Sequence, residues 1–214
     1  MALKDPARRL SRFMSQEEAE GLRGRTVVIV EGFSDQVALE TLARRQDRNL
    51  EAEGISIVPI RGAQAIGTFI HLFGPQGYDV RLAGLSDAGE EGYVRRALER
   101  AGFGTNLTRP DLERLGFYVC VDDLEDELIR SLGAAVVEQV IEVQGELRPF
   151  RTFQRQPAQQ GRPIEKQLRR FMGTHAGRKA QYARALVDAM DLRRVPPPLD
   201  RLLAYLVPST PGAS

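Results

Sequence analysis

Residues 26–35 read TVVIVEGFSD. Thr26 to Val30 is short, apolar and β-branched, the pattern of a strand buried on both faces of a parallel sheet. It runs straight into Glu31, and a carboxylate at the C-terminal tip of such a strand stands where open α/β sheets bind their ligands. Gly32 lets the chain turn sharply without a Cβ clash. Ser34 is placed to cap a helix over Asp35 to Arg45. Glu31 and Asp35 are therefore presented together, one at a strand tip and one in the first helical turn.

Working outward, the same grammar repeats. Gly54 to Ile60 (GISIVPI), Asp79 to Leu85 (DVRLAGL) and Gly116 to Val121 (GFYVCV) read as three further strands. Between them Ala63 to Phe73 and Glu90 to Ala101 read as helices, and Leu124 to Leu132 and Ala134 to Val143 follow the last strand. Strands alternating with helices of about ten residues predict an α/β fold with a doubly wound parallel sheet. Pro6 to Arg23 reads as one or two short amphipathic helices outside that sheet.

After Gly145 the strand pattern stops. Arg148 to Arg194 carries 12 Lys and Arg against Glu165, Asp188 and Asp191, a local net charge of +9 within a chain of net +1. An acidic front and a basic back suggest two tasks: acids to gather cations and bases to gather a polyanion. Helices are expected over Pro163 to Met172 and Ala176 to Met190, with a loop at Gln154 to Pro163 and a last short helix at Leu199 to Leu206. The division expected is an N-terminal helical segment (1–24), a core (25–145), a helical basic extension (146–206) and a tail (207–214).

The 214 residues, 42% hydrophobic and 28% charged, suffice for one domain with a core. The one cysteine, Cys120, allows no internal disulfide and fits a reducing, cytoplasmic setting. No stretch is apolar and long enough for a signal peptide or a membrane span.

Three strand tips end in acid: Glu31 with Asp35, then Asp87, then Asp123 with Glu125. One such acid is ordinarily a solvated helix cap. Three in register on one sheet edge converge, and uncompensated they repel by several kcal/mol at close range. Hard divalent cations relieve that repulsion, and Mg²⁺ or Mn²⁺ suits an all-oxygen donor set. The lack of a Cys/His cluster argues against zinc.

An apolar strand ending in Glu-Gly, an acid four residues on, and later strands ending in acid resemble a TOPRIM domain. The segments VIVEGFSDQVAL, LAGLSDAGEEGYVRRAL, FYVCVDDLEDELIRSLG and MGTHAGRKAQYARAL are similar to those of the OLD (overcoming lysogenization defect) family nucleases. The resemblance covers about Thr26 to Met190. It implies a TOPRIM-like, Rossmann-like sheet of about four strands and two-metal hydrolysis of phosphodiester bonds. By that resemblance Glu31 and Asp35 would hold one ion, Asp87 would lie between two ions, and Asp123 and Glu125 would hold the second. Lys179 would stabilise the transition state, and Glu31 is an alternative general acid/base. The third strand tip departs from the frequent Asp-x-Asp pattern: Asp87-Ala88-Gly89 lacks the second aspartate, which argues against topoisomerase or primase geometry.

No G-x-x-x-x-G-K-[ST] occurs, so by the resemblance this chain would be the TOPRIM part alone. Either it acts without ATP or an ABC-type ATPase is supplied by a separate polypeptide. The expected substrate is nucleic acid, DNA before structured RNA, with no membrane partner. A non-catalytic nucleic-acid-binding subunit is the alternative from another class. A signalling receiver is disfavoured because Lys179 lies far downstream of any strand. Arg178 reads as a phosphate contact, His175 as a polar loop residue and Cys120 as a buried small hydrophobe. Aromatics in the basic segment are few (Phe150, Phe153, Phe171, Tyr182), so extensive base stacking is not expected.

Overall fold

The computed structural model describes residues 15–60, 62, 65–175 and 177–207. The expected helix before residue 15 and the tail from 208 lie outside them. Four strands, β1 (Thr26–Val30), β2 (Ile55–Pro59), β3 (Arg81–Ser86) and β4 (Phe117–Val119), form one parallel sheet in the order β2-β1-β3-β4. Val30 pairs with Pro59 on one side and Leu85 on the other, and Ser86 pairs with Val119. All four C-terminal tips therefore lie along one edge.

The β1 residues alternate between two cores. Val28 and Val30 face one apolar cluster, Val27 and Ile29 the other, and all four are buried. This follows from the two-residue period of a strand covered on both faces. On the first face lie α2 (Phe33–Arg45), α6 (Leu124–Leu132), α7 (Ala134–Val143), α8 (Leu147–Gln154), α9 (Ile164–Met172), α10 (Arg178–Ala189) and α11 (Pro197–Tyr205). The other face holds α1 (Gln16–Glu20), α3 (Ile66–Phe73), α4 (Glu91–Arg100) and α5 (Arg109–Arg114).

The basic C-terminal helices share the sheet's own core. Phe171 of α9 stacks edge-on against Phe150 of α8 at 5.1 Å and Tyr182 of α10 at 6.4 Å. Gly84 lets β3 and β4 come together: a Cβ there would stand 2.7 Å from the Phe117 ring and 3.0 Å from the Ile29 carbonyl.

Boundaries differ from the sequence expectation for local reasons. α2 starts two residues earlier than Asp35, with Gly32 rather than Ser34 as its N-cap. The Asp35 carboxylate reaches back and accepts the Gly32 N–H at 2.9 Å, half of a capping box. α5 went unforeseen, and α8 was expected only as part of the helical basic extension. α5 carries a legible signal in Thr108-Arg-Pro-Asp111, where Asp111 accepts from the Thr108 backbone at 2.8 Å.

Candidate metal centre

Glu31 is the residue after β1 and Asp87 the residue after β3, so adjacent parallel strands put both side chains at one edge. Asp35 lies in the first turn of α2, one turn past the same strand tip. Asp123 caps α6, its Oδ1 accepting the Asp126 N–H at 2.9 Å, and Glu125 sits in the first turn of that helix. The β3 and β4 tips are tied together where the Ala88 N–H donates to the Asp122 carbonyl at 3.1 Å. Lys179 arrives on the second residue of α10, whose N-cap Gly177 takes the left-handed φ of 80°. That backbone suits glycine, and it launches α10 toward the acids.

Glu31, Asp35, Asp87, Glu125 and Lys179 line a single cleft of about 470 Å³. Asp123 lines an adjoining cleft of about 500 Å³ that shares Glu125 and Lys179 with the first. Its other walls are basic: Arg162, Lys166, Arg169 and Arg170. The Asp123 Oδ2 accepts from Arg169 at Nε (2.7 Å) and Nη2 (2.6 Å). Lys166 donates to Asp122 at 2.9 Å.

The electrostatics follow from crowding acids into a partly dry cleft. Asp35 is pushed up to about 7, first by burial, then by Glu125 and Glu31, against the hydrogen bond from Gly32. Asp87 rises to about 8, by burial and then by Glu31, Asp35, Asp123 and Glu90. Burial also raises Glu125, opposed by Lys179. Burial works against the charge on Lys179, yet Glu125, Asp123 and Asp35 together hold its pKa above the ordinary lysine value. Asp35, Asp87 and Glu125 are worse off charged than they would be in water, first because burial strips their hydration and then because acids face them.

Glu125 gives the sharpest test of fit to a cation. It is 5% exposed, its Oε2 takes the Lys179 ammonium at 3.2 Å, and its Oε1 is buried with no hydrogen-bond partner. An orphaned buried carboxylate oxygen is costly unless something cationic completes it. The donors are all oxygen, and the buried Cys120 thiol is pushed well above its usual range by burial and by Glu127 and Asp87. The set therefore fits Mg²⁺ or Mn²⁺ and not a thiophilic metal. Among the described residues no three His, Cys, Asp or Glu side chains are already drawn together as a ligand set. Arg169 and Lys179 hold Asp123 and Glu125 in ion pairs.

Two residues that reading by sequence did not single out, Lys166 and Arg169, stand against the acids. Their signal was present: Lys166, Arg169 and Arg170 lie three and four positions apart on one helix face. Arg178 corrects the expectation of a phosphate contact. Its guanidinium donates to Glu146 at 2.7 Å and covers the Phe171 ring at 4.5 Å, with its side chain 11% exposed. It fastens α10 to α8 and α9. His175 is exposed beside Thr174, at the rim of the loop before α10.

Comparison with known proteins bears on the fold that carries this site. Residues 24–88 match the family model for the overcoming lysogenization defect protein-like TOPRIM domain. The C-terminal region of the Burkholderia pseudomallei OLD protein superposes with a TM-score of 0.62 at 22% identity, over 85% of this chain and 96% of that one. A C-terminal region of the Xanthomonas campestris pv. campestris OLD protein gives 0.63 at 21% identity, over 85% and 91%. No curated protein matches significantly. The matched stretch runs from just before β1 to one residue beyond Asp87 and contains Glu31 and Asp35. Residues 24–88 thus match the model of the OLD-like TOPRIM domain, and the chain shares the fold of the OLD C-terminal regions over 85% of its length.

Proposed function

We propose that this protein is a divalent-metal-dependent nuclease that hydrolyses phosphodiester bonds in DNA. The observation that carries the reading is the unpartnered Oε1 of Glu125, buried in a cleft with Glu31, Asp35 and Asp87. Glu31 and Asp35 would hold one ion, Asp123 and Glu125 a second, with Asp87 between them. Mg²⁺ or Mn²⁺ there supplies Lewis-acid polarisation of a phosphate and charge neutralisation.

The chain's own residues contribute the rest. Asp123 and Glu125, which Arg169 and Lys179 hold in ion pairs, are the carboxylates that would hold the second ion. Lys179, half exposed at the shared wall of both clefts, faces the phosphate and stabilises the charge that builds on it. Arg162, Lys166, Arg169 and Arg170 hold the flanking phosphates without reading sequence.

The test is cleavage of duplex DNA, single-stranded DNA and folded RNA in Mg²⁺, Mn²⁺ and Ca²⁺, with Asp87→Ala beside the wild type. DNA cleavage that disappears in Asp87→Ala is expected. Equal cleavage by the variant removes the metal centre. Cleavage confined to RNA moves the substrate class, and binding without cleavage in any metal removes the enzyme.

A further inference from the structure

Phe33 follows directly on Glu31-Gly32, yet the residue is 63% exposed to water. The four aromatics of the basic segment are all buried in the core, so none of them can meet a base. Phe33 lines the acidic cleft and also a neighbouring groove of about 780 Å³ between α2, α7 and α10. That groove is walled by apolar side chains, Val143 at 82% exposure among them, interrupted by Gln139, Gln144, Gln181, Arg184 and Asp188, with Gln181 donating to Gln144 at 2.8 Å.

Three clefts are thereby joined in a row. The basic cleft shares Glu125 and Lys179 with the acidic one, and the acidic one shares Phe33 and Ala180 with the apolar groove. The chemistry along the row changes from phosphate-binding cations to metal-binding acids to an aromatic face with amide and guanidinium edges. A paired duplex keeps its bases inside and offers such a groove nothing. An unpaired strand offers a base face to the ring and base edges to glutamine and arginine.

Resting on the nuclease reading above, we propose that Phe33 is a stacking platform for an unpaired base next to the scissile phosphate. It makes the enzyme select single-stranded or frayed ends over closed duplex. Continuity with the acidic cleft names the occupant: whatever strand lies across Lys179 must continue past Phe33 on one side.

Binding tests this apart from cleavage. Fluorescence anisotropy of the full chain in Ca²⁺ compares a labelled single strand with a blunt duplex of the same sequence. Phe33→Ala and Phe33→Leu should weaken single-strand binding roughly 5- to 100-fold, the range of one lost base stack, and leave duplex binding within about twofold. Phe33→Tyr, which keeps the ring, should bind as wild type does. A 2-aminopurine beside the cleaved position should be quenched by wild type and Phe33→Tyr alone. A wild type that binds neither strand form overturns the nuclease reading and this inference with it. Wild-type binding that Phe33→Ala does not change overturns the stacking inference alone. Should that unchanged binding come with a mass that rises with concentration and falls in Val143→Asp, the groove belongs to a second copy of the chain.

Discussion

Arg169 holds Asp123 through two donors, Nε at 2.7 Å and Nη2 at 2.6 Å, both on the same oxygen, Oδ2. The pair links the N-cap of α6 to the basic face of α9, and so joins the acid cluster to the wall opposite. Arg169→Ala should lower metal-free stability by about 1 kcal/mol, since Arg169 keeps part of its surface in water. Thermal unfolding should show the deficit shrinking in Mg²⁺, which takes over the charge on Asp123. The salt dependence of DNA binding should fall by about one phosphate contact. A deficit that Mg²⁺ leaves untouched would place Arg169 in a purely structural role.

Lys179 bonds Glu125 at 3.2 Å from a half-exposed position, so it is poised rather than buried. Lys179→Ala should reduce kcat by about 10²- to 10³-fold, the usual loss for one removed transition-state donor. Affinity for DNA should change by no more than severalfold. Single-turnover cleavage at saturating enzyme separates the two effects, and a loss confined to binding would contradict the assignment.

Burial, followed by the facing acids, pushes Asp35 up to about 7 and Asp87 up to about 8, against an ordinary Asp value of 3.8. Their folded values are raised, so the folded state holds protons that the unfolded chain has released. Their contribution to stability is fully present below about pH 4 and is lost as pH rises through 7 to 8. Without metal, Tm should decline across that window at constant ionic strength. Mg²⁺ should stabilise little at pH 6 and more at pH 8.5, and its binding should release protons near pH 7 by calorimetry in buffers of different ionisation enthalpy.

Asp87→Asn removes one of the crowded charges and keeps the shape. It should raise the metal-free Tm at pH 8 by a few degrees, about 1–2 kcal/mol of relieved repulsion. The same variant should lose Mg²⁺ stabilisation and cleavage. A variant both less stable and still active would contradict the placement of Asp87 among the acids.

Gly84→Ala probes the frame that brings the strand tips together. The added methyl would stand 2.7 Å from the Phe117 ring and 3.0 Å from the Ile29 carbonyl. We expect about 2 kcal/mol of destabilisation in urea unfolding, with any remaining activity still metal-dependent.

The fold was legible because a doubly wound sheet is written locally. β1 is continuous and apolar where a strand is covered twice, and each helix carries its own period. α5 escaped because it spans only six residues, and α8 was not set apart from the helical basic extension because its aromatics Phe150 and Phe153 read as sparse when they pack on Phe171. Arg178 was misjudged for a similar reason. A cation in a basic run reads as solvated, and only packing reveals that Glu146 and Phe171 enclose it.

By itself the sequence determined the alternation of strand and helix, the acids at three strand tips and the basic character of the C-terminal third, because composition and period are local properties. Tertiary structure alone decided how those charges meet. Parallel register brings Glu31, Asp35, Asp87 and Glu125 into one cleft with Lys179 from α10. It turns Asp123 toward Arg169, leaves one oxygen of Glu125 without a partner and leaves Phe33 exposed to water. Those relations depend on residues far apart in the chain, and burial, which no single residue carries, sets their electrostatics.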